Sequence, residues 1–370
     1  LLNVLLLVVD RLPVTELSCY GGDGVTPNID RLAERGVVIE ACYAASSSPE
    51  VSLAVITTGG LARAAWWEDS LPVLVRNARR DDGEALTAGS YATAAFLDAT
   101  VVPTTAGSRG VECEAHEALL HALASRALTW ESFRVDLRWQ ILEDRLWRGS
   151  TGDAAVRHAR AWLAGMEGRR VVAEVVLRGA SGIEAIDAAV GELLERLGEI
   201  DAEEETLVIL TAAGGARAGT KRPLHASALR VPLLLSNTRL LPHGGRYDGI
   251  VEGEDVVPTV LDLLDLELSN EAPRREGRSF LPGVLGTQRG EVDTFEPKRF
   301  AFAADEAYLS ILDGKSQLIA SRDLLDRDTV PSDDALLAQL EEGIALQLID
   351  LAAGADESSP PELAVVRTLW

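Results

Sequence analysis

The run Asn3–Val9, N-V-L-L-L-V-V, is apolar after its first residue, rich in β-branched side chains, and stops at a single carboxylate, Asp10. It is too short for a core helix and shows no polar alternation, so it reads as a strand buried on both faces. Runs of the same kind recur at Tyr91–Asp98, Arg169–Leu177, Thr206–Thr211 and Leu229–Leu235, with helical patterns between them. Strands and helices in alternation predict an α/β fold, a doubly wound and mostly parallel sheet flanked by helices. In such sheets chemistry gathers beyond the carboxyl ends of the strands. Asp10 is therefore a candidate ligand or catalytic group; the plainer alternative is a loop or cap residue.

At 370 residues the chain has room for one large α/β domain and a smaller one. A net charge of -23 argues against a nucleic-acid or anionic-membrane partner. No apolar run approaches the ~20 residues of a membrane span, and no signal peptide is visible. Three cysteines, Cys19, Cys42 and Cys113, make no disulfide framework. Cys19 and Cys42 sit in apolar patterns and read as small core residues. The chain begins at Leu1, directly in a strand, which suggests a mature form or a domain of something larger. The stretch 115–169 carries Trp130, Phe133, Trp139, Trp147 and Trp162 and reads as two or three helices laid on the sheet. From Arg299 short strands alternate with turns, and Asp334–Gly354 reads as a closing helix.

Specific motifs punctuate this frame. T-P-N-I-D-R-L-A-E-R-G-V (Thr26–Val37) predicts a helix capped by Thr26, with Pro27 at its first position, Ile29 and Leu32 on its apolar stripe, and Gly36 as its stop. Cys19–Gly21, the serine-rich Ser46–Pro49, and Thr57–Gly59 lie around it; Tyr91–Asp98, Leu229–Leu235, Asp255–Leu264 and Gly277–Pro282 follow in order. Together these segments strongly resemble the sulfatase family of the alkaline-phosphatase-like superfamily, from Asn3 to about Leu351. The resemblance implies that family's sheet, with a small C-terminal antiparallel sheet plus helix. It places a sulfatase-like α/β domain at residues 1–270 and a small α+β subdomain at 271–370.

The resemblance also implies a chemistry. Sulfatases hold a divalent cation, Ca²⁺ or Mg²⁺, on oxygen ligands, and it orients a nucleophile and polarises the ester. Of the family's ligand positions this chain keeps Asp10. The others are Arg11, Ala213 and Gly214, none of which can ligate a cation. The nucleophile position falls on Ser47 when counted from Ser-x-Pro, with Ser48 beside it, or on Pro49 when counted back from Thr58-Gly59. On either count the arginine that holds the nucleophile is missing. The family's substrate-contacting histidine after Leu177 has no counterpart, because the chain passes through Arg178–Ser181 into the next helix. Lys221 keeps the spacing of a substrate-contacting lysine, with His225 at a tyrosine position; the plainer alternative is a surface loop of mixed charge. His116, His121, His158 and His243 are scattered without metal-binding spacing.

The expectation is a sulfatase-like protein that has lost catalysis and serves as a structural, regulatory or binding subunit or domain. No cofactor is expected. Arg11, Lys221 and Arg222 could hold a sulfated or phosphorylated ligand, and a protein partner or larger assembly is the other expected association. The competing expectation is an active metal-dependent sulfuric or phosphoric ester hydrolase, with Ser47 as nucleophile, Asp10 on one divalent cation, and Lys221 and His225 at the substrate. The resemblance alone suggests the cell envelope or periplasm.

Overall fold

Every residue of β1 (Asn3–Val9) is buried, as its unbroken apolar run requires of a central strand. The computed structural model describes residues 2–60, 71, 74–75, 79–80, 91–98, 137–142, 151–216, 224–267, 275–289, 295–325 and 346–351. Beside β1 the large sheet holds β2 (Gly36–Tyr43), β4 (Tyr91–Asp98), β5 (Leu137–Leu142), β6 (Arg170–Leu177), β7 (Thr206–Ala212), β8 (Arg230–Val231), β9 (Leu233–Ser236) and β10 (Gly245–Glu252). Its order is β10-β2-β9-β7-β1-β6-β4-β5, with β8 on β2. β1 pairs in parallel with β6 (Val4 opposite Val172) and with β7 (Asn3 opposite Thr206). β9 runs antiparallel between β7 and β2, which leaves β2 pointing the same way as β1, β6 and β7.

The helices fall into two groups that pack among themselves. One is α1 (Pro27–Glu34), α3 (Thr151–Ala164) and α4 (Ile183–Glu199); the other is α2 (Pro49–Thr58), α6 (Val256–Leu263) and α7 (Leu281–Arg289). A short turn of helix, α5 (Ala226–Leu229), precedes β8. A two-stranded ribbon pairs β3 (Arg79–Arg80) with β11 (Leu266–Glu267). A second, antiparallel sheet follows in the order β12 (Ala301–Ala304), β13 (Tyr308–Leu312), β14 (Ser316–Ser321), β15 (Leu346–Asp350), with α8 (Arg322–Leu325) after β14. The expected boundary near residue 270 lies outside the described residues.

Four local expectations are corrected. Leu137–Leu142, inside the region read as helices, is a strand parallel to β4. Leu346–Asp350, inside the expected closing helix, is the strand that pairs with β14. The expected strand Leu229–Leu235 is broken in two at Pro232, which has no N–H for a ladder. Thr26 makes no capping hydrogen bond to α1, and Gly36 does not stop that helix through a left-handed turn. Instead Thr26 Oγ1 binds Ser18 Oγ at 2.9 Å, and Asp187 of α4 reaches over to take the N–H groups of Asn28 (3.0 Å) and Ile29 (2.9 Å). Gly36 is needed because a Cβ there would stand 2.0 Å from the Leu235 carbonyl oxygen across the β2–β9 pair.

Candidate functional site

The parallel direction of β1, β2, β6 and β7 delivers Asp10, the Ser46–Pro49 loop, Arg178–Gly179 and Ala213–Gly214 to one end of the sheet. Backbone hydrogen bonds stitch these segments together. Asp10 N donates to the Leu177 carbonyl (2.9 Å), Ala213 N to Val9 (2.8 Å), and Leu12 N to Gly214 (2.8 Å). The gathering follows directly from the sheet order, with β1 between β6 and β7.

Asp10 is half-buried. Its Oδ1 accepts the N–H of Arg11 at 2.7 Å and the N–H of Gly179. Gly179 permits this approach: a Cβ there would stand 2.1 Å from the Arg11 carbonyl oxygen. Arg11 turns across the strand ends and donates from Nη2 to the Ser47 carbonyl at 3.1 Å. Its Nη1 lies 3.4 Å from where a Cβ on Gly214 would be. The guanidinium thus rests on the bare backbone of Gly214, and a longer side chain at 214 would meet it. Two positions that looked like separate losses in the sequence form one packed contact.

The serine-rich loop is built as a helix cap. Ser48 Oγ accepts the Val51 N–H at 3.5 Å and donates to Glu50 Oε2 at 2.6 Å, with Pro49 at the first position of α2. Ser46, buried, exchanges bonds with Ser52: Ser46 N donates to Ser52 Oγ (3.2 Å), and that hydroxyl donates to the Ser46 carbonyl (3.1 Å). Ser47 stands between them, half-buried, its carbonyl taken by Arg11 and its hydroxyl without a hydrogen bond among the described residues. His225 lies at the start of α5, 7% exposed, with Nδ1 2.9 Å from Ser227 Oγ. Lys221 and Arg222, like His116, His121 and Cys113, lie outside the described residues. His158 falls in α3, and His243 is exposed with Nε2 3.1 Å from the Thr238 carbonyl.

A divalent cation does not fit these residues. Asp10 is the one anionic donor in the group, and one of its oxygens already serves two backbone N–H groups; Ala213 and Gly214 offer no side-chain donor. The Arg11 guanidinium adds a positive charge beside them. Among the described residues no group of three His, Cys, Asp or Glu side chains is placed to hold a metal ion.

One functional group at the sheet was not singled out in the sequence. Glu174 is fully buried in β6, between Leu6 of β1 and Ala95 of β4. Thr57 of α2 donates to its Oε2 at 2.6 Å, and burial pushes its carboxyl up to about 7. The signal was available: a lone charge in the middle of R-V-V-A-E-V-V-L has to be paired or protonated.

No protein-family model matches the chain. In sequence it is similar to choline-sulfatase of Rhizobium meliloti (strain 1021), 28% identical over 143 residues, 36% of this chain and 27% of that protein. It is also similar to arylsulfatase H of Homo sapiens, 48% identical over 58 residues, 15% of this chain and 10% of that protein. The matched segments therefore span about a quarter or less of these relatives' own length. In structure it is similar to phosphonate monoester hydrolase of Agrobacterium radiobacter, with TM-score 0.66, 16% identity, and 100% and 94% of the two chains covered. A second similar structure is a protein in complex with its substrate D-glucosamine-2-N,6-O-disulfate, with TM-score 0.64, 14% identity, and 95% and 91% covered. Among the described residues no helix is long and apolar enough to cross a membrane.

Proposed function

Because the chain belongs to the sulfatase-like, alkaline-phosphatase-like family, we propose that it is a member that has lost hydrolysis and acts as a binding or structural subunit. The observation that carries this reading is Arg11. Its guanidinium extends from the end of β1 to the Ser47 carbonyl and lies against Gly214. A side-chain cation thereby stands among the positions where the family's resemblance puts a metal and its ligands. A divalent ion brought to about 4 Å from that charge would meet a repulsion on the order of 8 kcal/mol at an effective dielectric constant of about 20. Asp10 alone does not offset that.

The same charge gives the site an affinity for oxyanions, since a guanidinium presents a rigid fork of donors to sulfate or phosphate. The ligand class proposed is a sulfated or phosphorylated molecule, held without being cut. Ser47 contributes its backbone to placing Arg11, and nothing among the described residues activates its hydroxyl. A small C-terminal unit beginning near residue 271, and residence in the cell envelope, are carried as parts of the same proposal.

The test is turnover and metal content measured on one preparation. Protein exchanged into buffer with calcium and magnesium is assayed on aryl sulfate and aryl phosphate esters and analysed for bound metal. The expected result is no turnover above buffer and no stoichiometric ion. About one retained ion per chain, with turnover abolished in Ser47→Ala, would overturn the reading in favour of an active hydrolase.

A further inference from the structure

Against 58 acidic residues the chain sets 35 basic ones, for a net charge of -23, and among the basic residues only Lys221, Lys298 and Lys315 are lysines. The acidic excess reaches the surface on several elements. Asp23 ahead of α1, Glu34 at its end, Glu167 after α3 and Glu306 between β12 and β13 are all exposed. Their carboxylates make no hydrogen bond or ion pair among the described residues.

Two further acids work against the helices they follow. Asp201 and Asp265 stand one residue past the caps of α4 and α6, Ile200 and Leu264, with φ of 52° and 55°. Glycine or asparagine is the usual occupant of that left-handed position, and a carboxylate there meets the negative end of the helix dipole. Both are exposed, and neither carboxylate is paired among the described residues. The pairs that do form have a common character. Outside the Lys298 cluster, every ion pair among the described residues uses arginine, as in Arg160–Glu192, Arg196–Glu199 and Arg246–Glu40. A guanidinium can hold a carboxylate through directed hydrogen bonds that outlast the screening of its charge, whereas an ammonium is a point charge and loses more.

We infer that this protein is built to fold in molar monovalent salt, its unpaired surface carboxylates holding a layer of hydrated potassium or sodium ions. Folding draws a net charge of -23 into one compact body, and unfolding relieves the repulsion. At about 0.1 M salt the screening length is about 10 Å, so carboxylates on neighbouring elements still repel one another; at about 1 M it is about 3 Å, and they do not. In that medium a carboxylate at the end of a helix costs little, and directed arginine pairs persist where lysine pairs would fade. The inference does not depend on the reading of Arg11, and no outcome below bears on that reading.

The experiment is thermal unfolding of the full chain by calorimetry, in KCl at about 0.1 M and about 2 M and in tetramethylammonium chloride at about 2 M. Chloride salts are used because sulfate and phosphate stabilise proteins generally, through exclusion from their surfaces. The expected midpoint is about 15 °C higher in the concentrated KCl than in the dilute; a chain already unfolded in dilute KCl that refolds as KCl is added supports the inference equally. Tetramethylammonium screens as well as potassium but is bulky and weakly hydrated, so it should give about half that rise or less. Asp23→Asn, Glu167→Gln, Asp201→Asn and Asp265→Asn combined remove four charges from the net -23. Repulsion grows as the square of the net charge, so the rise in KCl should shrink by about a third. Three results would each overturn the inference: a midpoint unchanged between the two KCl concentrations, an equal rise in the tetramethylammonium salt, or an undiminished rise in the combined variant.

Discussion

Glu174 makes stability depend on pH in a way that a buried apolar residue would not. Its carboxyl rises from an ordinary value near 4.5 to about 7, chiefly through burial, with the Thr57 hydroxyl opposing the rise. The folded chain therefore holds a proton that the unfolded chain has already lost. Its contribution to stability is full below about 4.5, declines as pH rises through the interval up to about 7, and is constant above. The expected difference across that interval is on the order of 3 kcal/mol. Denaturant unfolding of the protein and of Glu174→Gln at pH 5 and pH 8 measures it. The stability difference between the two proteins should grow toward pH 8 in favour of the glutamine. If it is the same at both pH values, Glu174 does not titrate in this interval. Arg11 is the second residue that decides something. Its identity was readable in the sequence as a ligand replaced by a cation. Its reach to Ser47 and its seat on Gly214 were not, because both depend on the order of β2, β7 and β1 in the sheet.

At the level of elements, the buried strands were legible because a strand covered on both faces needs a continuous apolar run. β1 and β4 have the predicted bounds, and β6 and β7 differ by one residue. Where period and propensity disagree, the reading failed. Leu346–Asp350, L-Q-L-I-D, is made of residues common in helices, yet pairing with β14, Leu318 opposite Leu348, fixes it as a strand. The cap of α1 was illegible for another reason: its carboxylate comes from Asp187, 159 residues away from Asn28. Asp187 is 4% exposed and also accepts from Asn28 Nδ2 at 2.9 Å, so it closes the first turn of α1 and binds that helix to α4. Asp187→Ala should cost about 2 kcal/mol, from the lost cap and the orphaned N–H groups. Chemical denaturation checks this. A loss below a few tenths would mean that water replaces the carboxylate.

At the level of the whole molecule, the two sheets are joined by a buried cluster of charge. Lys298 Nζ lies 2.6 Å from Glu252, 3.2 Å from Glu254 and 2.9 Å from Asp255. These three come from the end of β10 and the turn before α6, whereas Lys298 leads into β12. Its ammonium is held charged by Asp255 and Glu252 against the cost of burial. Lys298→Met leaves three carboxylates facing one another, and a loss of about 3–5 kcal/mol is expected. Calorimetry reads it as a fall in the unfolding midpoint; an unchanged midpoint would show that the apolar contacts around Leu224, Leu312 and Ala301 suffice. Joining the sheets this way also closes off polymerisation on that side. β12 is the end strand of the small sheet, and an end strand normally offers its outward N–H groups as a template for a strand from another molecule. Here the Phe302 N–H is taken by Glu252 Oε1 at 2.7 Å and the Ala304 N–H by the Ala45 carbonyl at 2.9 Å. A second chain has no vacant rung at these two positions, although the Phe302 ring itself is 58% exposed to solvent.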